Sequence, residues 1–131
     1  YGAAIWCDPH VWLAEAHRLL RPGGKLVFLG HHPFVVLTTP ADGAACERVL
    51  HRPYRGLHIE DWRDVPIDPG GIEFNLTQSG WVQLFAETGF TITGYQELFA
   101  PEDAEEDEYE IPADWARDYP AEQVWHLQKG A

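Results

Sequence analysis

The groups in this 131-residue chain that could do chemistry are seven histidines, two cysteines and a run of carboxylates near the C-terminal end. His31 and His32 are adjacent, directly after the apolar run "KLVFLG". In an extended segment neighbouring side chains point to opposite sides, so the two do not readily share a metal ion. His51 and His58 have neither HExxH nor finger spacing, and no acidic partner stands at ligand spacing, so no metal site is expected. Cys7 and Cys46 form no CxxC pair and read as two reduced thiols. Ser79 has no GxSxG elbow around it and falls where a helix needs a cap, while nothing in the spacing supports a nucleophilic Cys46. "RPGGKL" follows a helix and precedes a strand, the reverse of the order that sets phosphate on a helix N-terminus, so it is a turn.

The elements that must position these groups follow from periodicity and punctuation. Residues 8–21 read as a helix: Asp8 can accept orphan N–H groups as N-cap, and Pro9 loses no hydrogen bond at the first helical position. Trp12, Ala16, Leu19 and Leu20 give it one apolar face, and Pro22, Gly23 and Gly24 end it. "KLVFLG", residues 25–30, shows no alternation and reads as a central parallel strand buried on both faces. Residues 31–77 carry five prolines and weak periodicity and read as an insert or lid, with a short helix over 42–52 on the shared face of Ala45, Val49 and Arg52. Residues 79–89 form a second amphipathic helix, capped by Ser79 and stopped at Gly89-Phe90, before the strand "FTITGY". Residues 101–110 are an acidic surface loop. A helical turn around Trp115 and a strand over 122–128 complete one α/β domain with no internal repeat.

Composition bounds the rest. A chain of this length buries about 68% of the surface its unfolded form exposes. With 45% apolar residues and no long uncharged apolar run, it reads as a soluble, cytoplasmic domain. A formal charge of −12 argues against nucleic acid or an anionic membrane as partner. The chain contains no methionine and begins at Tyr1, so it reads as part of a longer translation product. In open α/β sheets ligands sit beyond the carboxyl ends of the strands, which places His31, His32 and Phe34 beside a crevice, with Trp6 at the same end.

"WLAEAHRLLRPGGKLVF" resembles the segment after the fourth strand of class I S-adenosylmethionine-dependent methyltransferases, where a helix ends in Leu-Leu-(Lys/Arg)-Pro-Gly-Gly and enters the fifth strand. "SGWVQLFAETGFTITGYQEL" is similar to the family's next helix, its Gly-Phe junction and the sixth strand, and "PAEQVWHLQKG" looks like the seventh. The resemblance implies a C-terminal part of a Rossmann-like sheet, strands five to seven with flanking helices and at most a stub of the fourth. The Gly-rich loop and the ribose-binding acid of the N-terminal half are missing.

The family likeness further implies S-adenosylmethionine as cofactor, methyl transfer to a small-molecule acceptor, and Tyr1, Gly2 and Ala3 as cofactor-adjacent positions. Trp6 and Phe34 are the expected acceptor-side residues. His31 or His32 is the expected base where the acceptor must lose a proton, because imidazole has a suitable pKa. The bare apolar edge of "KLVFLG" points to a homodimer or to pairing with the missing half. Two other readings stay open: a non-catalytic assembly module that binds no donor, and a small binding protein with an aromatic pocket.

Overall fold

The computed structural model describes residues 4–67, 69–107 and 110–131; Tyr1, Gly2 and Ala3, expected beside the cofactor, lie outside the described residues. Helix α1 spans Pro9–Leu19, with the Asp8 carboxylate accepting from the His10 N–H and Pro9 in the first turn. Its buried side chains are Pro9 and Leu13, whereas Leu19, expected on the apolar face, is exposed. Trp12 and Leu20 of the expected face do pack against the core, with Leu13 at its centre. The Lys129 ammonium donates to the carbonyls of His17 and Leu20, satisfying two acceptors that α1 leaves open at its C-terminal end.

The turn at Gly23, which takes φ +73, leads into β1, Lys25–His31. α2, Pro33–Thr38, follows at once, then a two-stranded hairpin of β2, Ile59–Asp61, and β3, Ile72–Phe74. α3, Gln78–Thr88, is capped by the Thr77 hydroxyl, which accepts from the Gly80 N–H, and not by Ser79 as the sequence suggested. Gly89 closes α3 in the left-handed conformation at φ +93 and delivers Phe90 into β4, Phe90–Leu98. α4, Ala113–Asp118, and β5, Glu122–Lys129, complete the chain.

The main sheet has the order β1-β5-β4, and β5 is antiparallel to both neighbours. The last strand in sequence is thus the central one. β1, expected as a parallel central strand buried on both faces, is an edge strand among the described residues, and its Val27 is 55% exposed. Residues 4–6 form a turn, so the described residues before α1 include no strand stub.

One face of this sheet carries the principal core. Leu13 of α1, Trp81, Leu84 and Phe85 of α3, and Trp125 and Leu127 of β5 are all buried there, with Phe28 packed against them. Phe85 sits edge-on to Trp125 at 5.1 Å and stacks with Trp81 at 5.6 Å. Alternation along β5 sends Gln123, Trp125 and Leu127 to this buried face.

The segment 31–77 holds α2 and the hairpin, and its helix is at 33–38 and not at 42–52. Hydrogen bonding explains the displacement. Asp42 closes a local turn onto the Ala44 N–H, and the chain then runs extended alongside α2, with Glu47 and His51 N–H groups donating to the carbonyls of Thr38 and Leu37. A second, smaller cluster of Val35, Cys46, Trp115 and Ala116 ties this segment to α4. No helix among the described residues is long and apolar enough to cross a membrane.

Candidate functional site

A cavity of about 900 Å³ opens at the carboxyl end of β1, between α2, the β2–β3 hairpin and the segment that leads into α4. Ile5, Trp6, His31, Trp62, Glu73 and Phe99 contribute to its wall. The Asp42 turn and a tie from the Cys46 N–H to the Glu110 carbonyl at 2.9 Å hold the coil beside it. The Arg52 guanidinium donates to the carbonyls of Val36 and Thr39, completing the C-terminal end of α2, and stacks 4.8 Å over the Trp62 ring. The side chain therefore positions the wall and keeps its positive charge beside Trp62.

Two glycines let the aromatic wall close. A Cβ on Gly71 would lie 2.9 Å from the Trp6 ring, and one on Gly70 would lie 3.3 Å from the Trp62 Cβ. The Trp62 N–H and carbonyl bond Gly71 and Gly70, both at 2.9 Å, so the loop between β2 and β3 folds back beneath the two indoles. Ile5 joins in by accepting from the Phe74 N–H at 2.8 Å.

Of the residues singled out from sequence, His31 and Trp6 line the cavity, and His32 and Phe34 do not. His31 lies 3.9 Å through Nδ1 from the Glu73 carboxylate, both side chains being largely buried. His32 is engaged at both nitrogens: Nδ1 accepts from the Phe34 N–H at 3.2 Å, and Nε2 lies 2.8 Å from Glu97. A neutral ring protonated at Nε2 satisfies both contacts. Burial pulls the His32 pKa below its ordinary value, against an opposing pull from Glu97. With both nitrogens occupied, His32 caps α2 and holds it to β4, and its geometry does not suit a base for a cavity ligand. Phe34 packs instead beside His32 and Tyr119, with ring centroids 5.0 and 5.9 Å away.

Sequence reasoning missed the polar network beneath His31. Gln123 on β5 donates from Nε2 to the His31 carbonyl at 3.2 Å and accepts at Oε1 from Gln78 and from the Tyr95 hydroxyl, at 2.9 and 3.1 Å. Burial first, and the nearby Glu97 charge second, push the Tyr95 phenol up to about 12, so it remains a donor. The network fixes the end of β1 against the central strand. Its signal was the single polar residue at the inward position 123 of an otherwise apolar alternation. The Cys46 thiol in the cavity wall is pushed up by burial, which removes thiolate character.

Asp8, His10 and His58 form the one His/carboxylate group among the described residues close enough to hold an ion. One Asp8 oxygen already takes His10 Nδ1 at 2.8 Å and His58 Nε2 at 3.3 Å. Burial raises the Asp8 pKa, but the His10 and His58 contacts outweigh it and leave it lowered. Hydrogen bonding thus accounts for the grouping, which pins the segment at His58 to the start of α1. The separation of 8 and 10 from 58 along the chain hid it from spacing arguments.

No Gly-rich cradle follows a parallel strand among the described residues, and β1 enters α2 through His32-Pro33, where proline removes an N–H that such a cradle would use. These residues do not build a complete site for a nucleoside methyl donor.

The fold matches part of that of solved S-adenosylmethionine-dependent methyltransferases. The chain superposes on an S-adenosylmethionine-dependent methyltransferase from Mesorhizobium loti with a TM-score of 0.64 at 22% identity, covering 98% of this chain and 58% of that one. It superposes on a putative S-adenosylmethionine-dependent methyltransferase from Listeria monocytogenes with a TM-score of 0.60 at 17% identity, covering 91% and 53%. In sequence it is 33% identical over 91 residues to the malonyl-[acyl-carrier protein] O-methyltransferase of Alcanivorax borkumensis, 63% of this chain and 28% of that protein. The chain thus spans little more than half of the structural relatives and about a quarter of the curated one. No protein-family model matches it.

Proposed function

We propose that the chain serves S-adenosylmethionine-dependent methyl transfer to a small-molecule acceptor, contributing the acceptor-side part of a larger catalytic domain. The observation that carries this reading is the cavity at the carboxyl end of β1, with His31 and Trp6 in its wall, on a fold shared with methyltransferases. The donor supplies an electrophilic methyl group when bound. The residues of this chain do the rest of what is proposed: Trp6 and Trp62 enclose and orient the acceptor, the apolar wall excludes water, and His31 takes a proton from the acceptor where one must leave. Glu73 stands beside His31, its carboxylate 3.9 Å from Nδ1.

The substrate in the curated relative's name is not carried over. A malonyl carboxylate would face the carboxylates of Glu73, Glu106, Glu110 and Glu122 in this cavity wall.

Titrating S-adenosylhomocysteine into the chain by calorimetry, with intact mass confirmed on the same sample, tests the reading. Micromolar binding supports a donor site within this chain or its oligomer. Absence of binding assigns the donor site to residues outside it and leaves the chain inactive alone.

A second reading, a non-catalytic assembly module, is favoured by the outer edge of β1, which pairs with no strand among the described residues. Either reading has β1 pairing with another chain, a second copy or the N-terminal half of the domain. Light scattering that shows a stable monomer of 14.9 kDa removes the homodimer.

A further inference from the structure

The charged side chains in the cavity wall have one sign. Glu73 comes from β3, Glu106 and Glu110 from the acidic segment, and Glu122 from β5, while among the described residues no lysine or arginine lines the space. Arg52, stacked on the Trp62 ring, is bonded to two backbone carbonyls, and Arg117 to the carbonyl of Ala104. Three aromatic side chains, Trp6, Trp62 and Phe99, share the wall with these carboxylates. Aromatic faces attract cations through their quadrupole, and a low-dielectric cleft of one sign concentrates the opposite charge.

Local strain points the same way. Glu60 and Glu73 are directly opposed in the β2–β3 register, a like-charged pairing that destabilises a hairpin. Glu60 relieves it by accepting from Asn75 Nδ2 at 2.8 Å, which leaves Glu73 as the member of the pair that lines the cavity, beside His31.

We propose that the cavity binds an organic cation, an amine carried as its ammonium ion, in contact with the Trp6 and Phe99 rings and balanced by Glu73 and Glu122. That this cation is also the methyl acceptor rests on the methyl-transfer reading above. His31, backed by Glu73, is where its proton goes when the nitrogen lone pair is released.

Three probes of one shape test the inference on the full chain: phenethylamine, its anionic counterpart phenylacetate and neutral 2-phenylethanol, each titrated by calorimetry. Phenethylamine is expected to bind about tenfold tighter than 2-phenylethanol, with phenylacetate weakest. In Glu73→Gln/Glu122→Gln the preference for the amine is expected to fall to within about threefold. Should that pair fail to fold, Glu106→Gln/Glu110→Gln, on the exposed segment, is expected to weaken the amine selectively. Phenylacetate binding as tightly as phenethylamine, equal binding of the amine and the alcohol, or no binding of any probe overturns the inference. Comparison with the S-adenosylhomocysteine titration separates the two proposals. Donor binding without amine preference removes the cation alone, whereas amine preference without donor binding assigns the donor site to residues outside the chain and keeps the cation site.

Discussion

Phe85 and Trp62 are both large aromatic side chains, yet one is fully buried under the main sheet and the other lines an open cavity. Phe85 comes from a regular helix whose apolar positions recur at helical spacing, so α3 lays a continuous stripe on β5 and excludes water. Trp62 comes from irregular chain held by ties to backbone: Arg52 on the α2 carbonyls, Trp115 Nε1 on the Glu47 carbonyl at 3.1 Å, and the Cys46 tie to Glu110. Periodic segments pack against one another and leave no room. Segments fixed through their backbones leave space between their side chains, and that space is the site.

The sharpest way to break this comparison is to empty one position on each side. Phe85→Ala should cost about 3–5 kcal/mol in urea unfolding, because the ring touches Trp81, Trp125 and Phe28 and leaves a void among them. Trp6→Ala, half exposed at the cavity, should change stability by less than about 1 kcal/mol while lowering phenethylamine affinity. Equal costs would show that the cavity wall is part of the core.

Arg52→Ala should cost about 2 kcal/mol by leaving the carbonyls of Val36 and Thr39 without their charged donor. Arg52→Lys should recover only part, since an ammonium does not reproduce the planar fork. Gly71→Ala should cost about 1 kcal/mol, its new methyl displacing the Trp6 ring, with a shifted tryptophan emission as the readout.

The smallest expected effect is a slope. Burial holds the His32 pKa in the folded chain below the ordinary value of 6.5, so the unfolded chain takes up the proton first. Stability from this group is therefore present above about pH 6.5 and is lost as the pH falls through the folded-state value. Urea midpoints should drop on acidification, and His32→Gln, which can still accept from Phe34 and donate to Glu97, should flatten that part of the curve. An unchanged slope would show that His32 is not the group responsible.

How much was legible can be argued residue by residue. Asp8-Pro9 marks the start of α1 and Gly89-Phe90 the end of α3, because caps are local chemistry and act within a few residues. The expected helix at 42–52 is absent because its shared face of Ala45, Val49 and Arg52 competes with an adjacent helix whose carbonyls need donors, and Arg52 and His51 turn to serve it. His31 and His32 were indistinguishable as neighbours. Only the positions of Glu73 and Glu97, distant in sequence, turn one toward the cavity and bind the other into a cap.

By itself the sequence determined the helices α1 and α3, the stretches that become β1, β4 and β5, the excess of negative charge and the likeness to methyltransferases, all of which depend on short-range periodicity or on composition. The tertiary structure alone decided that the last strand lies at the centre of the sheet, that β1 stands at its edge, and that carboxylates from three separate segments face one aromatic cavity. Strand order and cavity walls are made by contacts between residues far apart in the chain, and the period of a segment carries no record of its partner.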